Sequence, residues 1–318
     1  MQLSEEPSLY TLQEWHVAPL LPVLFAAAIQ SWGRLRGRWR TAAAGLMVVG
    51  SLWAFSQYSL APAAWLAPGT PPERARQIEA ILARVSPAST VSAQTDIVPH
   101  VSQRRAVYVF PSVIEGADDI VLDRQGNTYP VSDRYAGIVD GEVLPRPDFR
   151  LRYDRDGLLW LQKEAPPAEA TSPLAVFGDQ LTLKAVRLAL ADSAGFFDQW
   201  VTGEKLVLKR GSRLQVNLYW QRTGAADENL KVFVQLLDDG SGKVIGQHDG
   251  PPVGGARPIR SWKLTEIVRD THYVEPGDEQ MAGPGRVIVG LYYAASGQRL
   301  VTAEGQDAVT IAQFTVVR

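Results

Sequence analysis

The sequence predicts an α+β, membrane-anchored chain. Two N-terminal transmembrane helices are followed by a small extracytoplasmic α/β unit and then an antiparallel β-sandwich. Three observations carry this expectation. Charged side chains are absent from Trp15 to Trp32, His16 aside, and from Thr41 to Leu66. A helical period followed by short β-rich runs fills the middle of the chain. Beyond about residue 170, strand-like segments succeed one another with turn residues between them.

Composition narrows the function classes. The 318 residues carry a formal net charge of −2, which gives no electrostatic footprint for nucleic acid. There is no cysteine, so disulfide frameworks, thiolate metal sites and cysteine nucleophiles are excluded. No Gly-rich phosphate loop, HExxH or nucleophile elbow occurs. No cofactor is therefore expected, and no catalytic residue is assigned.

The N-terminal expectation rests on length. A spanning helix needs about 20 mostly apolar residues. The stretch 41–66 meets this, while 15–32 is borderline and holds Pro19 and Pro22, which membrane helices tolerate better than soluble ones. Trp15, Trp32, Trp39 and Trp65 fall at the ends of the two stretches, where amphipathic rings favour the headgroup region. A signal peptide fits poorly, because Glu5, Glu6 and Glu14 precede the apolar run without a basic residue. A buried hydrophobic hairpin is the plainer alternative. Arg34, Arg36, Arg38 and Arg40 sit in the connecting segment, and by the positive-inside tendency that segment is cytoplasmic. The bulk of the chain is then extracytoplasmic, on a cytoplasmic membrane. The expected boundaries are 1–68 for the membrane hairpin, 69–168 for the α/β domain and 169–318 for the sandwich.

In the middle segment, PERARQIEAILARVS places Ile78, Ile81, Leu82 and Val85 at helical spacing. STVSAQ, AVYVFP and DDIVLD read as strands, and 151–161 reads as a hairpin around Asp154-Arg155-Asp156-Gly157. Asp96, His100, Arg104 and Arg105 form the chemically loudest cluster, since arginine forks match phosphate oxygens. The alternative is a capped short helix with a solvated basic end.

The remainder supplies seven strand patterns. In RLQVNLYWQR, Leu214, Val216, Leu218 and Trp220 alternate with Arg213, Gln215, Asn217 and Gln221, as in a sheet with one buried face. The segment 286–294 is apolar on both faces and so suggests a central strand. His248, Asp249, Asp270 and His272 are weak candidates for a metal site, against a simple Asp249-Gly250 turn. Trp262, on a Gly/Pro-rich loop, offers either a platform for a sugar ring or a plug for the end of the sandwich.

HVAPLLPVLFAAAI, followed by a second apolar stretch and then by ASTVSAQTDIVPHVSQRRAVYVFP and DDIVLD, resembles the C-terminal part of a bacterial family of predicted polytopic membrane proteins of unassigned function. That family looks related to integral-membrane glycosyltransferases that use lipid-phosphate-linked sugars. LQVNLYWQR, KVFVQLLDD, VIGQHDGPPVGG and VIVGLYYAASGQRL are similar to β-sandwich domains that follow such membrane regions. The resemblance implies the C-terminal portion of a glycosyltransferase-like protein of cell-envelope glycan assembly. The catalytic acidic loop of those enzymes has no counterpart here, so the chain alone is expected to be inert. The implied partners are the lipid bilayer, a polytopic membrane partner or missing N-terminal region, and a glycan or polyprenyl-phosphate sugar. The alternatives from the residues are a membrane-anchored binding module and a structural spacer.

Overall fold

The computed structural model describes residues 21–58, 73–167, 173–201, 206–226, 229–277 and 283–317. Its contacts divide the chain into two compact units, Met1–Pro72 and Glu73–Arg318.

The first unit contains α1 (Leu21–Arg34) and α2 (Arg38–Tyr58). These helices correct the expected fold class. Among the described residues, no helix is long and apolar enough to cross a membrane, so two N-terminal transmembrane helices are not what the chain forms there. At about 1.5 Å per residue, a helix the length of α1 falls well short of a hydrocarbon core roughly 30 Å thick. In turn, α2 opens on Arg38 and Arg40, and Ala, Gly, Ser and Gln dilute its apolar content. Residues 15–20 and 59–66 of the expected spans lie outside the described residues, as do Glu5, Glu6, Glu14, Trp15 and Trp65. Within this unit Leu46, Val49, Leu52 and Trp53 are exposed. The described chain as a whole is mostly β-sheet, with five α-helices.

The second unit opens with α3 (Glu73–Leu82), whose Ile81 is buried. Five strands follow: β1 (Val91–Ala93), β2 (Val107–Val109), β3 (Asp119–Asp123), β4 (Phe149–Arg155) and β5 (Leu158–Lys163). They form one mixed sheet in the order β2-β1-β3-β5-β4. The β2-β1-β3 pairs are parallel and the β3-β5-β4 pairs antiparallel. The parallel strands are short, and β1 and β3 are buried on both faces, as crossover-connected strands should be. One face packs Ile81, Val85, Ile97 and Val101 against Val91, Val121 and Trp160. The other packs α5 (Tyr135–Ile138) and the following turn, through Ile138, Val139 and Val143, against Ile120, Leu122 and Leu159. The β4–β5 hairpin turns on Asp156 and Gly157, both at positive φ, the conformation a two-residue turn of this kind requires. A four-residue helix, α4 (Val98–Val101), lies between β1 and β2.

Two further sheets share one core. The first has the order β13-β10-β7-β6, with β8 also on β7, and uses β6 (Ala175–Phe177), β7 (Leu181–Leu190), β8 (Trp200–Val201), β10 (Leu214–Arg222) and β13 (Ile267–Val274). The second has the order β12-β11-β14-β15-β9, from β9 (Leu206–Lys209), β11 (Leu230–Asp238), β12 (Val244–Gly250), β14 (Gly283–Tyr293) and β15 (Val309–Val317). All pairs in these sheets are antiparallel except β15 with β9. Val216, Leu218 and Trp220 of one sheet join Val232, Val234, Val287 and Val289 of the other in the core. The β14 strand is the middle of its sheet. Its Gly290 admits the Phe233 ring, which an added Cβ would meet at 2.3 Å.

The alternation in β10 is present, but both of its faces are buried. Gln215 and Asn217 are fully buried because the mixed-sheet lobe covers the polar side of β10 and β13. Gln215 Nε2 donates to Leu151 O at 3.2 Å, and Asn217 Nδ2 donates to Gln215 Oε1 at 2.9 Å. Phe196 packs into the core of the mixed-sheet lobe. Nearby, Arg152 Nη2 reaches Asp198 at 2.9 Å, and Phe197 N donates to Arg152 O at 2.9 Å. The two lobes are thus joined by hydrogen bonds together with aromatic packing, Phe196 against Tyr153 and Trp160 and the Arg150 guanidinium over the Trp200 ring.

Candidate functional site

The β13 strand organises a candidate site. Its alternation sends Val268, Asp270, His272 and Val274 one way and Arg269, Thr271 and Tyr273 the other. Val268 and Val274 join the sandwich core. On the other side Arg269 donates to Leu144 O through Nε at 3.0 Å and Nη2 at 2.7 Å, and to Phe149 O through Nη1. Tyr273 Oη donates to Asp154 Oδ2 at 2.7 Å, and Thr271 Oγ1 donates to Asn217 Oδ1 at 2.9 Å. Burial drives the Tyr273 phenol well above its ordinary pKa, and the Asp154 carboxylate beside it adds to the rise. Burial pulls the Arg269 guanidinium down.

Where β13 meets the mixed-sheet lobe, a cavity of about 320 Å³ opens, within the size range of small-ligand sites. Its polar lining includes Asp140, Asp154, Asp270 and Thr271, and its apolar lining includes Leu144, Leu151 and Val253. Asp140 is held by a two-pronged ion pair with Arg124. Burial opposes the Arg124 charge, but the hydrogen bonds to Asp140 together with the nearby charges of Asp140 and Asp154 outweigh it and its pKa rises. The turn over the cavity runs Val253-Gly254-Gly255, all at positive φ. For a β-branched residue that conformation costs about 1–2 kcal/mol. Asp270 Oδ1 holds Val253 in place by accepting its N–H at 2.9 Å.

The four histidine and aspartate candidates do not converge on a metal. Among the described residues, no group of three or more such side chains is placed to hold one. Three of them instead bond to each other. His272 Nε2 meets Asp270 Oδ2 at 2.9 Å, and His272 Nδ1 meets His248 Nδ1 at 2.8 Å. Asp249, next to His248 on β12, contacts Tyr292 Oη at 3.3 Å.

Trp262 is buried, with 1% of its surface exposed, and belongs to the sandwich core. Its Nε1 donates to Arg257 O at 3.3 Å. A ring enclosed in this way has no free face for a sugar, so the platform expectation gives way to the plug.

The cluster around Asp96 is dispersed. Asp96 is exposed, and its Oδ2 accepts the Asn127 N–H at 2.8 Å. Arg104 donates to Ser86 O and, at 3.0 Å, to Val85 O, just past the end of α3. His100 and Arg105 are exposed. A guanidinium committed to peptide carbonyls has fewer donors left for phosphate.

The residue that organises this edge is Gln94, which is 2% exposed. Its Oε1 accepts Asp123 N at 2.9 Å and Tyr135 Oη at 2.7 Å, and its Nε2 donates to Asn127 O at 2.7 Å. Gln94→Ala leaves two buried donors unpaired, so a loss of about 2–4 kcal/mol is expected. Chemical denaturation of the wild type and variant checks it, and a loss below about 1 kcal/mol contradicts it.

Asp140, Asp154, Arg269 and Tyr273 were not singled out from sequence. Asp154 sat in a turn signal, and the polar RDTHY run drew attention only for Asp270 and His272.

Residues 1–131 match the model of a family described as a predicted membrane protein (DUF2079). The match covers less than half of the chain and ends before the cavity residues. It supports a membrane-associated protein of unassigned function and says nothing of glycosyl transfer. No curated protein matches the chain.

Proposed function

We propose that this chain is a membrane-associated binding part of a glycosyltransferase-like system of cell-envelope glycan assembly, and that the β13 cavity holds its carbohydrate. The observation that supports the reading most is the lining of that cavity. Asp140 and Asp154 line the same cavity of about 320 Å³ as the apolar Leu151 and Val253. Carboxylates accept from paired sugar hydroxyls, and apolar side chains cover the C–H faces of a ring. Membrane association draws on the family match and on the arginine-rich segment 34–40, which attracts anionic headgroups. In this reading the sugar is presented free or on a polyprenyl phosphate, and a polytopic partner carries out the transfer.

The test is binding of the full chain, in detergent or nanodiscs, to a panel of oligosaccharides and polyprenyl-phosphate sugars. Specific binding is expected, weakened at least about tenfold in Asp154→Ala, which corresponds to about 1.4 kcal/mol. A thermal melt verifies that the variant is folded. A panel without signal, or an unchanged Asp154→Ala, removes the reading.

A further inference from the structure

The Asp270–His272–His248 chain joins the two sheets of the sandwich, with Asp270 and His272 on β13 and His248 on β12. Asp270 and His272 are each 2% exposed, whereas His248 is exposed. The two imidazoles meet edge to face, with centroids 4.9 Å apart. The Nδ1 to Nδ1 contact of 2.8 Å has one possible proton count. One nitrogen donates and the other accepts, because two N–H groups cannot point at each other at that distance. Asp270 accepts from His272 Nε2, and while His272 is neutral this leaves its Nδ1 as the acceptor for His248.

Asp270 serves two partners. One carboxylate oxygen takes His272, and the other takes the N–H of Val253, which lines the cavity in its left-handed conformation. The proton count of the histidine pair and the closure of the turn over the cavity therefore share one side chain.

We infer that the His248–His272 contact is a proton-operated latch on the cavity, closed while one of the facing nitrogens is unprotonated and released when both rings become imidazolium. Its role in ligand release rests on the carbohydrate reading given above. The charged and titratable groups that act on His248 are His272, Asp270 and Asp249. Tyr292 on β14 reaches Asp249, Asp140 and Glu142 lie on the segment 139–143 that packs on the Val253 turn, and β11 and β13 beside β12 also carry Lys231, Asp238, Arg269 and Tyr273. The turn 252–255 itself carries none. Asp249 and Asp270 favour protonation of His248. Although the ring as a whole is exposed, desolvation at its part-buried contact with His272 opposes it more strongly, followed by the neighbouring His272, so the pKa of His248 lies below the ordinary histidine value. A base whose folded pKa is depressed stabilises the closed state fully above its unfolded value, about 6.5, and loses that contribution as pH falls below it.

Hydrogen–deuterium exchange of the full chain in detergent tests this without any ligand, with rates corrected for the intrinsic effect of pH. Between about pH 7.5 and pH 5, amides in 246–256 are expected to exchange at least about tenfold faster, while 214–222 stay unchanged. His248→Gln keeps a donor toward His272 and cannot become charged, so its 246–256 segment is expected to lose the pH response. A wild type without a local rise, or a His248→Gln that retains the rise, overturns the latch. Because no sugar is present, either result leaves the carbohydrate reading to its own test.

Discussion

Arg269→Ala is expected to cost about 3 kcal/mol of folding stability. The guanidinium is 1% exposed and donates to Leu144 O and Phe149 O across the lobe junction. Truncation strands these carbonyls, at roughly 1–3 kcal/mol each, and leaves a void where the side chain lay. Removing a buried cation offsets part of this, because burial already disfavours the charge. The carbonyls prevail, since two groups lose their donors and only one charge is relieved. For a unit of this size, the midpoint of thermal unfolding falls by roughly 6–12 °C. Arg269→Lys, which keeps the charge with fewer directed donors, lies between. A melt of Arg269→Ala within about 2 °C of the wild type contradicts the role assigned to the residue.

Trp262→Ala is expected to be at least as damaging, at about 3–5 kcal/mol, the usual loss for a buried tryptophan. The ring closes the core alongside Ile259. The variant loses stability without a specific loss of sugar binding at temperatures where it remains folded. Trp262→Phe keeps much of the volume and costs less. Parallel denaturant titrations and binding isotherms separate the two effects. A stable Trp262→Ala that no longer binds sugar would restore the ring as a platform.

The strand content of 169–318 was largely legible. The alternation Leu214, Val216, Leu218, Trp220 sets the inward face of β10, and 286–294, apolar on both sides, becomes the central β14. The cover on the other face of β10 was not legible. A period of two shows which side is polar, but not that Leu151 O waits to satisfy Gln215. For the same reason β13 is not among the seven strand patterns: Arg269 and Tyr273 find their partners, Leu144 O, Phe149 O and Asp154, only in the other lobe. The N-terminal expectation fails because the length of an uncharged run is not the length of an apolar helix: among the described residues α1 covers only Leu21–Arg34, and α2 opens on Arg38 and Arg40. At the candidate site, sequence picked out Asp270, His272 and His248 by residue type. It could not show that they bond to one another, nor that Asp140 and Asp154 arrive beside them from the other lobe.

The polar mating surface has a consequence for how this chain can be divided. Were the β-sandwich severed from its neighbour, Gln215, Asn217 and Arg269 would meet water and the wall holding Asp140 and Asp154 would be gone. Such a fragment retains its aliphatic interior yet forfeits the hollow, so a piece transplanted with the hollow intact has to include both lobes, which together make up the compact unit beginning at Glu73. Recombination among related chains would have to carry both lobes together, and the segment joining β5 to β6 is a poor place to cut although it lies between them.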